Sequence, residues 1–229
     1  MDNIEKLAKL CIKYESNGNP AVVSSGYGDY GGRSYGLYQF SSSAGVVDDF
    51  IKWLKQYPED CYANYGRVLY NCYPINSSAF VNEWQSIGTI DPGGFGNLQS
   101  EYTWDQYYIP SKNRLANNYF NMDKHSDAMK AVLFSRSVQY GSYYMPELFN
   151  EAVWILGYPN LSYVDDSYFD PDMITAIYDF LAGEAQDAIY NGGHSSKDWC
   201  NGSIDVCEGL YNRFLNEKND ALNMYYRGW

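Results

Sequence analysis

The chain has 229 residues, 45% of them hydrophobic, enough to bury a sizeable core and too many for a disordered chain. Its 28 acidic residues against 16 Lys and Arg leave a formal charge of −12, which argues against a nucleic-acid partner and against docking on anionic membranes. No apolar run is long enough to cross a bilayer, and the N-terminal stretch MDNIEKLAKLCIKYESNGNP lacks the basic and apolar regions of a signal peptide.

The first helix is expected to begin at Asp2, with Glu5 completing a capping box. Ile4, Leu7, Cys11 and Tyr14 fall on one apolar stripe. The helix should end near Ser16, where Asn17-Gly18-Asn19-Pro20 breaks it. Residues 17–40 are rich in Gly and Ser and predict loops with a few short strands. Helices are then predicted over 44–57, 77–87, 98–108, 126–140, 146–156, 171–190 and 206–226, with the 98–108 helix stopping at Pro110. No repeat or linker is visible. The reading is a single domain over 1–229, mainly α, with a small β or loop segment after the first helix.

Five cysteines form no CxxC pair, so neither a disulfide framework nor a zinc ribbon is signalled. His194, Cys200 and Cys207 match no standard zinc spacing, and no metal or other cofactor is expected. Asp165, Asp166, Asp170 and Asp172 crowd one loop without the Gly and terminal Glu of an EF-hand, and read as a solvated acidic loop.

The stretch Gly28-Asp-Tyr-Gly-Gly-Arg-Ser-Tyr-Gly-Leu-Tyr-Gln-Phe40 has little that can pack a core. Glu15 closes the first helix beside its apolar stripe, and a partly shielded carboxyl group suits proton donation. Asp29 stands among glycines, where an acid stays hydrated and backbone can approach a ligand closely. Two carboxylates in unlike surroundings are standard equipment for breaking a glycosidic bond. The bland alternatives are an ordinary polar helix end for Glu15 and a turn-capping role for Asp29.

Glu15-Ser16, a Gly-rich turn, and then Gly36-Leu37-Tyr38-Gln39 resemble the lysozyme superfamily, with Tyr where soluble lytic transglycosylases and goose-type lysozymes carry Met. The interval Asp29 to Ser34 resembles the chitosanases and phage-type lysozymes. Weaker resemblances to phage-associated lysozyme-like domains lie in Phe134–Gly141 and Gly209–Leu222, and around Trp84, Gln99 and Pro110. The resemblance implies a lysozyme-like fold and a hydrolase of the peptidoglycan glycan backbone, borne by a phage as an endolysin or virion component. It implies Glu15 as general acid, Asp29 as base and Ser34 as the hydroxyl that holds water. Gly36 and Gln39 would line the saccharide cleft, and Arg33 would steer a substrate carboxylate. Tyr35, Tyr38, Tyr107 and Tyr108 could stack on sugar rings or pack in the core. Gln139 could bind an N-acetyl or hydroxyl group or sit solvated on its helix. The expected partner is the peptidoglycan strand, met by a monomer at the cell wall. The rival readings are a chitosanase, a lytic transglycosylase and a non-catalytic saccharide-binding tail component.

Overall fold

The computed structural model describes residues 2–26 and 32–228. They are mainly helical, with a single two-stranded ribbon among them. Helix α1 (Asp2–Glu15) buries Leu7 and Cys11 of its predicted stripe completely, together with Leu10, while Ile4 and Tyr14 are half-buried. It stops where Asn17 takes a left-handed φ of 57°, a conformation Asn adopts more readily than most residues, followed by Gly18 at 84°.

Strands β1 (Ser34–Tyr35) and β2 (Phe40–Ser41) pair antiparallel, with Ser34 opposite Ser41 and Tyr35 opposite Phe40. Helices α2 (Val46–Leu54), α3 (Asp60–Asn71), α4 (Ser78–Ile90) and α5 (Pro92–Thr103) follow. One turn of π-helix (Trp104–Tyr108) leads into α6 (Ile109–Ala116). The remaining helices are α7 (Asp127–Tyr140), α8 (Met145–Ile155), α9 (Asp170–Tyr190) and α10 (Ile204–Arg227). Side-chain caps set four of the starts. Ser77 accepts from Phe80 N, Asp91 from Gly94 N, Ser126 from Met129 N and Ser203 from Val206 N.

The chain divides into two compact units. One comprises residues up to Glu5 and Cys11–Gln106; the other comprises Lys6–Leu10 and the residues from Tyr107 onward. The first unit is organised by aromatic rings. Trp84 meets Phe95 at 4.9 Å and Tyr35 at 5.2 Å, and Phe50 meets Tyr102 at 5.3 Å, all at steep angles that set ring edges on ring faces. Several tyrosines at its margin donate to carboxylates: Tyr57 to Glu101 at 2.7 Å, Tyr65 to Asp91 at 3.0 Å and Tyr73 to Asp48 at 2.7 Å. Part of the tyrosine content, 25 residues in the chain, is therefore structural, with the ring packed in this unit and the hydroxyl on an acid.

The second unit is built on α9 and α10, with α7 and α8 packed on them. A charged cluster lies inside it. Arg136 and Glu217 are both fully buried and meet at 2.7 Å, and Arg213 reaches the same carboxylate at 3.2 Å. The acidic loop read as solvated is bound down. Asp170 is buried, receives Ser126 N at 2.7 Å and meets His125 Nδ1 at 2.6 Å. Asp165 accepts from Asn121 N at 2.6 Å and pairs with Lys124. The His125 ring stacks on Phe120 at 4.0 Å. Asp165 and Asp170 thus tie this segment to the start of α7 and the residues before it, while Asp166 and Asp172 are exposed, as read.

Candidate functional site

Glu15 is the last residue of α1, half-buried and engaged in interactions with its surroundings. The loop that follows it is held to the ribbon. Its buried Pro20 offers a carbonyl that accepts from both Trp84 Nε1 and Gln99 Nε2 at 3.1 Å. Further along, Gly36 N donates to Val22 O at 2.8 Å and Ser24 N donates to Ser34 O at 2.9 Å. The loop leaving the catalytic candidate and the strand carrying Ser34 are thus stitched together within one unit.

Gln99 locks the turn between the strands. It is completely buried on α5, and its Oε1 accepts from Leu37 N at 2.7 Å while its Nε2 holds Pro20. Gly36 has φ 71°, and a Cβ there would stand 2.2 Å from Gln99 Oε1. Only glycine meets both conditions. Gln39, at φ 51°, turns its amide back onto Gly36 O at 2.9 Å. Gly36 and Gln39 therefore serve the turn itself.

The other sequence candidates sort by burial. Tyr35 is fully buried and donates to Asn76 Oδ1 at 2.9 Å; burial raises its phenol above the ordinary range, against the pull of Arg33. Tyr38 is 3% exposed and bonds Ser100 Oγ at 2.9 Å, and burial pushes its phenol up further. Tyr108 is also in the core, whereas Tyr107 is half-buried. Of the two roles read for these rings, Tyr35, Tyr38 and Tyr108 take core packing. Arg33 donates to Ser24 O at 3.1 Å, which fastens the same loop to the ribbon. Ser34 is half-buried, its backbone N bonded to Ser24 Oγ at 2.8 Å, and its own hydroxyl engages no partner among the described residues. Asp29 lies outside the described residues. Gln139 belongs to the second unit, on α7, where its Oε1 accepts from Arg136 at 2.5 Å.

Among the described residues no group of three His, Cys, Asp or Glu is arranged to hold a metal ion. His194 is exposed and bonded to Asn201, while Cys200 and Cys207 are buried. Burial and the neighbouring Cys207 push the Cys200 thiol up to about 12, so it stays protonated. No described helix is long and apolar enough to cross a membrane.

A family model described as "Type VI secretion system spike protein VgrG3-like, C-terminal" matches residues 7–218. The chain belongs to this family. It is also 32% identical, over 136 residues, to the type VI secretion system spike protein VgrG3 of Vibrio cholerae serotype O1. That alignment covers 59% of this chain and 12% of the relative, so the chain spans a small part of the curated protein it matches. Membership of the VgrG3-like family corrects the resemblance drawn from Glu15-Ser16 and Gly36–Gln39. The chain is a member of the VgrG3-like C-terminal family and not a lysozyme-superfamily lysin, and the phage endolysin or virion muramidase expected from that resemblance gives way with it. The physical reason lies in the motif. Its Gly-Leu-Tyr-Gln run answers to a local need, a left-handed turn against Gln99 with Leu37 and Tyr38 in the core, and such a need can arise in unrelated families.

Proposed function

We propose that this chain is an enzymatic domain of a secretion-spike protein, a glycoside hydrolase that acts on cell-wall polysaccharide with Glu15 as its proton donor. The observation that carries the reading is the position of Glu15. It is a half-buried carboxyl group at the end of α1, and the loop leaving it is hydrogen-bonded to the strand that holds Ser34. The family description, a type VI secretion system spike protein, supplies the setting for this reading.

In this reading the Glu15 carboxyl gives its proton to the glycosidic oxygen as the bond to the anomeric carbon breaks. Water attacks that carbon and surrenders a proton to Asp29, and the Ser34 hydroxyl orients the water. The residues supply all of this without a cofactor. The domain works as a monomer in this proposal, with assembly left to the rest of the spike.

Glu15→Gln keeps the side-chain shape and removes the acidic proton. Release of reducing ends from purified wall material, or from a polymer of N-acetylated hexosamine, should fall at least about 10²-fold, the lower range for general acid catalysis. Far-UV circular dichroism and the unfolding midpoint should stay at the parent values. A variant that releases ends at the parent rate removes Glu15 from the chemistry, whereas a parent chain that releases none is a non-enzymatic part of the spike.

A further inference from the structure

The second unit contains a cavity of about 510 Å³ between the end of α7, the start of α8 and the loop joining α9 to α10. That volume falls in the range of small-molecule sites. Its walls combine ring surface with fixed polar groups. Trp199, only 7% exposed, is wedged against Tyr140 at 5.1 Å, Phe180 at 5.9 Å and Tyr144 at 6.2 Å. Tyr144 is half exposed and so leaves ring surface open.

The polar groups are held in place. Gln139 gives its carbonyl oxygen to the buried Arg136, which leaves its amide N–H groups as donors. The loop bearing Asp198 and Trp199 is pinned to α9, because Ser196 N donates to Asp187 at 2.6 Å and Lys197 N to Glu184 at 3.2 Å. Across its base, Ser195 N bonds Cys200 O at 2.9 Å. The Lys197 ammonium is paired with Glu151 at 2.6 Å. Glu147 and Asp198, both exposed on the lining, make no ion pair among the described residues. The cavity therefore offers ring faces, an amide donor and two carboxylate acceptors, with no uncommitted cation.

We infer that this cavity binds an N-acetylated hexosamine unit, with the sugar face on Tyr144, hydroxyl groups donating to Glu147 and Asp198, and the acetamide carbonyl accepting from Gln139. Anionic ligands are excluded by the two carboxylates. A pyranose presents hydroxyl donors and an apolar face together, which matches this lining. The inference goes beyond the proposed function, since it concerns the second unit and asks for binding, not cleavage.

The test is isothermal titration of the full chain carrying Glu15→Gln with the tetramer of N-acetylglucosamine, and separately with the tetramer of glucosamine. The N-acetylated tetramer should bind. Tyr144→Ala and Glu147→Gln, both changes of exposed side chains, should each weaken binding at least about fivefold, with unfolding midpoints held. Absence of binding at millimolar tetramer, or equal binding by both variants, overturns the site. Binding of the glucosamine tetramer alone overturns it too, in favour of an ammonium ligand on the carboxylates. The proposed function fails separately, by release of reducing ends at the parent rate from Glu15→Gln, whereas the site fails by unchanged binding in Tyr144→Ala and Glu147→Gln.

Discussion

Gln99 and Gly36 show how a buried polar side chain can define a turn. The Gln99 amide satisfies two backbone groups 17 residues apart in sequence, the Pro20 carbonyl and the Leu37 N–H. Gln99→Leu keeps the volume and strands the Leu37 N–H, while the Pro20 carbonyl keeps its bond from Trp84. A buried unsatisfied group costs about 1–3 kcal/mol, so the variant should lose roughly that much unfolding free energy, read from urea melts. Gly36→Ala should cost at least about 1–2 kcal/mol from the left-handed backbone alone, before the contact with Gln99 is relieved. Wild-type midpoints for both would show that the turn does not depend on this lock. Little of this was legible in the sequence. Glycine in a Gly-rich stretch signals a turn, but Gln99 lies 62 residues from Leu37 and no spacing links them.

At the scale of elements, the chain announced most of its helices through stripes and caps, and hid two features for identifiable reasons. The missed α3 buries Ala63, Gly66 and Leu69, mostly small residues that raise no apolar stripe. Gly66 is small because a Cβ there would stand 2.6 Å from Lys55 N. Pro110 was read as a stop, yet it sits in the first turn of α6, where a missing N–H costs nothing, after a π-turn has reset the helix. Pairing between helices was equally invisible. Glu217 on α10 meets Arg136 on α7 across 81 positions. Burial alone would raise the Glu217 carboxyl, but Arg136, Arg213 and Ser135 outweigh it and hold the carboxyl below the ordinary glutamate range. A depressed folded value means that this stability is present above the unfolded value of about 4.3, and is lost as pH falls through the folded one. Glu217→Gln leaves a buried guanidinium uncompensated and should cost about 3–5 kcal/mol at pH 7. The gap between wild type and variant should shrink only below about pH 4. A gap unchanged from pH 7 to pH 3 would mean that the carboxylate charge plays no part.

Taken as a whole, the molecule carries a charge of −12, and this bears on what it can approach. Wall polysaccharide comes in forms that differ in charge: glycans bearing carboxylates or phosphates repel an acidic domain, while N-deacetylated polymers attract it. These fields act over distances beyond a hydrogen bond and are screened with a Debye length of about 30 Å at 0.01 M salt and about 8 Å at 0.15 M. The side chains around Glu15 do not change over that range, so salt separates long-range encounter from chemistry. With the domain as the proposed hydrolase, initial rates on anionic wall material should rise severalfold as ionic strength goes from 0.01 to 0.15 M, because repulsion slows encounter at low salt. Rates on an N-deacetylated polymer, if it is cleaved, should fall over the same range. A neutral, fully N-acetylated oligomer should show almost no salt dependence and serves as the internal reference. The measurement is kcat/KM for soluble oligomers and initial release of reducing ends for insoluble walls, at fixed pH. If salt slowed attack on anionic walls, a local basic surface would have to dominate encounter, and with it the view that the net acidity of this chain governs what it reaches would be lost.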